Sequence, residues 1–188
     1  MAYVDSGADT CIAGAGWIPL SYTGRKANLV GYDDCSTKKT GLDICTIATK
    51  FVTAAGCPDL ILVANETVYN PDSSVSLVSE YQVRDYGCVV DSISKNHRAS
   101  ISGYKGTQSF YPRDDFPIPL KLMKGLMGCH ICEPSKEDLT QLEQIIITVD
   151  SPWRPWLYSD DNEDTFVSQS EQTASIGGSH AKILFSKF

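Results

Sequence analysis

The stretch Tyr3-Val4-Asp5-Ser6-Gly7-Ala8-Asp9-Thr10 decides how this chain reads. A short apolar lead delivers an acidic residue into a small hydroxyl residue, a glycine and an alanine, and the chain runs on through Cys11-Ile12-Ala13-Gly14. Asp or Ser beside Gly is ordinary turn chemistry, and a bare Asp-Ser-Gly recurs by chance in unrelated chains. The longer string, set just after an apolar strand, is more demanding. It places a carboxylate at the tip of a tight loop. Gly7 lets the backbone turn without a Cβ clash, Ser6 can hydrogen-bond across to a partner loop, and Ala8 is small enough to let another chain pass close by.

Outward from that loop, the whole chain bounds the function class. Its 188 residues suffice for one domain with a real core, and 42% hydrophobic against 21% charged residues is the balance of a globular protein. A formal net charge of −7 argues against a nucleic-acid surface, which needs clustered Lys and Arg. No apolar run reaches membrane-spanning length, and no basic stretch followed by an apolar core opens the chain. The expectation is an intracellular protein, cytoplasmic or in virus-like particles, without membrane or nucleic-acid partners. Seven cysteines, at 11, 35, 45, 57, 88, 129 and 132, are then reduced thiols. Asn65-Glu66-Thr67 matches a glycosylation acceptor that such a location leaves unused.

Up to about residue 92 the pattern is β-rich. Strands are expected at Ala27–Tyr32, at Leu42–Val52 and, as a compact apolar run buried on both faces, at Leu60–Val63, the last two forming a hairpin. Val75–Val78 reads as a short strand, and Ser79 as the cap of a helix ended by Gly87, with Cys88–Val90 returning as a strand. Beyond it, Ser100–Ser102 is expected to pair with Thr107–Tyr111, and the prolines extend Phe116–Leu120. A short helix starts at Ser135, with Asp138 three residues on. From Ser151 the composition turns polar and acidic, without periodicity. The domain reading is therefore 1–92, a β-rich extension with a short helix at 93–150, and an acidic tail without regular structure at 151–188. The tryptophans at 153 and 156 read as a local cap on the β-domain.

The order of Asp5-Ser6-Gly7-Ala8, two long strands, Val68-Tyr69-Asn70-Pro71-Asp72, Ser76-Leu77-Val78-Ser79, a helix and Gly87 resembles the protease region of copia-type retrotransposon polyproteins. Thr23–Gly31 and Ile118–Leu120 also look similar to such polyproteins, so the likeness covers residues 3 to 150. It implies a mostly β, retropepsin-like acid-protease half-barrel with one short helix and a less regular C-terminal extension. It also implies aspartic endopeptidase activity on peptide or polyprotein substrates, with no metal and no cofactor. Asp5 is then the catalytic residue, Ser6, Gly7 and Ala8 form the active-site loop, and Asp9 binds substrate backbone. One Asp-Ser-Gly supplies one carboxylate where the chemistry needs two, which implies a homodimer joining two copies of Asp5 across a twofold axis. Asp33–Gly41 would be the tip of a flap.

The sequence departs from that family in three places. Four residues precede Asp5, so the outer strand usually found there is expected to be missing; no Gly-rich flap tip is evident; and the strand behind the turn ends in Val78-Ser79. Two other readings therefore stand beside the protease: a catalytically inactive remnant of a mobile element, and a zinc-binding interaction module built on Cys129-His130-Ile131-Cys132.

Overall fold

The computed structural model describes residues 1–31, 38–52, 59–95, 106–113, 116–155, 172–176 and 181–185. Its first strand, β1 (Ala2–Asp5), ends at the acidic residue of the opening motif, and β2 (Ile12–Ala13) follows the turn. Two long strands come next, β3 (Ile18–Gly31) and β4 (Lys39–Phe51), then β5 (Leu60–Tyr69). The first of these begins well before the expected Ala27, and its pairing with β4 shifts register three times along its length. Such irregularities bend and twist a long strand, which is why no clean alternation marks it in the sequence. The Asp33–Gly41 flap tip lies largely outside the described residues.

β5 is buried along nearly its whole length, because neighbours cover it on both faces. It continues past the expected Val63, through Asn65, whose side chain is tied to Thr46 and Thr148. β6 (Ser76–Ser79) passes directly into helix α1 (Glu80–Asp85), with Ser79 as the N-cap residue. Gly87, at φ +95°, closes the helix where Cys88 N–H returns to the Val83 carbonyl. β7 (Val89–Asp91), β8 (Ser109–Arg113) and β9 (Phe116–Pro119) form a separate three-stranded sheet. The expected partner of β8 at Ser100–Ser102 falls outside the described residues.

The remaining elements return to the main sheet. β10 (Lys121–Met123) and β11 (Leu126–Cys129) form a hairpin, and β12 (Ile131–Cys132) pairs with β4. Helix α2 (Lys136–Gln141) carries the expected Ser135–Asp138 capping box, and β13 (Gln144–Ile146) runs parallel to β5. Within the tail expected to lack regular structure, β14 (Gln172–Ile176) and β15 (Ala181–Phe185) form a hairpin that joins β3 at Ala27–Gly31. The protein is thus mostly β, with short helices, and its main sheet is open, in the order β10-β11-β1-β6-β2-β5-β4-β3-β15-β14.

The hydrophobic core crosses the boundary expected near residue 92. Ala2, Val4, Trp17 and Leu62 share one buried cluster with Phe110, Ile118, Met127 and Ile147. The segment read as an extension therefore supplies strands to the sheet and side chains to the core. On the opposite face Ala48, Ile61 and Val63 are covered by Leu139 and Leu142, at the end of α2. Among the described residues no helix is long and apolar enough to cross a membrane.

Candidate functional site

The Asp5–Cys11 loop is built by three short strands. β1 lies parallel to β6, with Asp5 opposite Ser79, and β2 lies antiparallel to β6, with Ile12 opposite Leu77. The chain therefore leaves β1, crosses the end of β6 and returns along the other side of β6 as β2. That crossing puts the loop directly over the start of α1.

The helix start locks the loop from beneath. Ser79 Oγ caps α1 by accepting from Gln82 N–H at 3.2 Å and donates to the Ala8 carbonyl at 2.6 Å. One hydroxyl thus satisfies an otherwise orphaned helix N–H and fixes the loop backbone. Ser79 N–H points to Cys11 Sγ at 3.3 Å, and burial pushes the Cys11 thiol up to about 12, so the sulfur sits there as a neutral acceptor. Gln82, fully buried, accepts from Cys11 N–H at 2.7 Å and donates to the Glu66 carbonyl at 3.2 Å. A buried glutamine with both ends in use rigidifies whatever it bridges; here it ties the loop to β5.

At the loop's near end Asp5 is 5% exposed. Its Oδ1 accepts from Gly7 N–H at 2.9 Å, while Oδ2 is buried with no hydrogen-bond partner among the described residues. Ser6 is exposed at the tip, Gly7 half-buried, and Ala8 fully enclosed. Asp9, half-buried, has neither carboxylate oxygen in a hydrogen bond, and the neighbouring Thr10 hydroxyl is likewise unpartnered. Desolvation pushes the Asp9 carboxyl up to about 7. Two carboxyl groups four residues apart thus hold buried oxygens without partners in a dry environment, where a donor counts for most.

A second set of bonds reaches the loop through Glu66 and Trp153. Glu66, buried on β5 with φ +52°, pairs with Arg25 of β3 and accepts from Trp153 N–H at 3.0 Å. Trp153, 4% exposed, donates its indole N–H to the Asp9 carbonyl at 2.8 Å. Sequence reasoning places Asp5 to Asp9 in one loop, and the fold brings them together as one. It does not single out Gln82 or Glu66. A polar residue on a short helix or a long strand carries no local mark that it will be buried, although Gln82 does sit three residues after its cap, on the side the cap turns inward.

The Cys129–Cys132 pair does not converge in the same way. Cys129 is buried on β11 with its thiol pushed up to about 12 by burial, while Cys132 is exposed on β12. No group of three or more His, Cys, Asp or Glu suited to a metal ion occurs among the described residues. The chain matches no known protein family, no curated protein and no solved structure.

Proposed function

We propose that this chain is an aspartic endopeptidase, the retropepsin-like protease region of a copia-type retrotransposon polyprotein. The observation that carries the reading is Asp5 itself: a buried carboxylate at the end of β1, one oxygen held by Gly7 N–H and the other without a partner. A second copy of the chain would bring its own Asp5 alongside once the loop shifts to uncover that buried oxygen. Two carboxylates so close cannot both ionise, so the pair shares one proton. The ionised member takes a proton from a water as it attacks the scissile carbonyl, and the protonated member donates to the developing oxyanion. Asp9 supports the same reading: its carboxyl has no hydrogen-bond partner and, protonated at mildly acidic pH, keeps a carbonyl oxygen to accept a backbone N–H of an extended peptide once the loop opens.

The test is cleavage of peptide and precursor substrates at mildly acidic pH, with the mass of the active species measured by light scattering. The expected result is cleavage by a dimer, abolished by Asp5→Asn with the fold retained. Cleavage that survives Asp5→Asn, or a folded dimer that cleaves nothing, overturns the proposal.

A further inference from the structure

We propose that Trp153 is a positioning residue of the candidate catalytic loop, holding it at the Asp9 carbonyl as Ser79 and Gln82 hold it at Ala8 and Cys11. The assignment rests on the reading of Asp5–Asp9 as that loop.

The geometry is a chain of directed contacts. Arg25, on β3, pairs with the Glu66 carboxylate, and the same oxygen of Glu66 accepts from Trp153 N–H at 3.0 Å. The indole N–H then reaches the Asp9 carbonyl at 2.8 Å. Its segment is anchored upstream as well, where Thr148 Oγ accepts from Asn65 N–H at 2.6 Å and donates to the Asn65 carbonyl at 3.0 Å. Residues 148 to 153 therefore form a strap fixed at both ends to β5, and its last side chain reaches the loop. Trp suits this position physically: the ring fills apolar space while its one N–H needs a partner once buried. Asp9 lacks side-chain partners, so the backbone bond to Trp153 orients a residue whose carboxylate is otherwise unrestrained by hydrogen bonds. Glu66 in turn orients Trp153, and through Arg25 the clamp is joined to β3.

The experiment compares the full chain with Trp153→Phe, which keeps an aromatic ring but deletes the N–H. Amide hydrogen exchange is read at residues 7–12 and at β5, which serves as an internal reference. Loss of one buried neutral hydrogen bond predicts exchange faster by about tenfold in the loop and little changed at β5. Glu66→Ala, which removes the acceptor behind Trp153, should reproduce the faster loop exchange, read against Leu60–Leu62 at the far end of β5 because Glu66 lies on that strand. Glu66→Gln, which keeps an acceptor, should restore protection. In cleavage assays the Phe variant should raise KM by about tenfold with kcat nearly unchanged, as expected when a substrate-orienting group is loosened. Equal acceleration in the loop and β5 would reduce Trp153 to general packing and overturn the proposal, as would an unaltered loop. Loop-specific loosening in a chain that cleaves nothing, even as a dimer, supports the clamp and overturns the protease reading.

Discussion

Burial at Asp9 works against its charge, and this makes one side chain visible in the stability of the whole protein. The carboxyl is pushed up to about 7 in the fold, well above its ordinary value. The folded state therefore holds a proton there between about pH 4 and 7 that the unfolded chain has released, so stability falls as pH rises through that window. The effect is of order a few kcal/mol. Urea unfolding at pH 5 and pH 8 should show the native chain weaker at the higher pH. Asp9→Asn should flatten that difference and raise stability at pH 8, because it replaces the penalised carboxylate with a neutral group of the same shape. The turn at Asp5 was legible in the sequence because an Asx turn, with Gly7 N–H donating to the Asp5 carboxylate, demands particular residue types in a row. The demand comes from backbone geometry, and it is local.

Among elements, α1 shows how a short helix can serve mainly as a bracket. Its six residues are too few to be stable alone; the Ser79 cap and the Gln82 bridge hold it in place. Gln82→Leu should cost about 2 to 4 kcal/mol in equilibrium unfolding, since it strands both the buried Cys11 N–H and the Glu66 carbonyl. A change within about 0.5 kcal/mol would mean that water or a shifted neighbour takes over both bonds. Both helices were readable from their caps, Ser79 with Gly87 and Ser135 with Asp138, since capping is decided within a few residues. The hairpin of Leu42–Val52 with Leu60–Val63 was readable too, and is met as β4 against β5; strand partners distant in the sequence were not. Nothing local in Leu126–Cys129 announces that it will lie against β1. In retrospect Gly128 bears the one trace of it, because a Cβ there would stand 2.5 Å from the Ala2 carbonyl oxygen.

At the level of the molecule, the boundary read near residue 92 has no counterpart in the core. β1 is flanked by β6 on one side and β11 on the other, and β5 takes β13 as a parallel neighbour. A chain of residues 1–92 would expose the edge of β1 that β11 covers and the Val4, Leu62 and Trp17 surfaces that Met127 and Ile147 help to enclose. It should show no cooperative unfolding by circular dichroism and rapid proteolysis, whereas residues 1–155 should unfold in a single transition. Composition shifts along a sequence mark changes of local character. Whether two such segments share a core depends on pairings between distant strands, which composition does not record. The reading of Trp153 as a cap on the β-domain agrees with its burial there; its bond to the loop could not be foreseen without the pairing of Thr148 with Asn65.

The placement of β1 also sets a timetable. A ribosome releases the Asp5 loop well before its neighbours: β11, which pairs with β1, follows about 120 residues later, and Trp153 later still. At roughly 5 to 20 residues per second, the nascent loop waits on the order of 6 to 24 s for that neighbour. Whatever chemistry the loop performs is thereby deferred until β11 and Trp153 have also been synthesised.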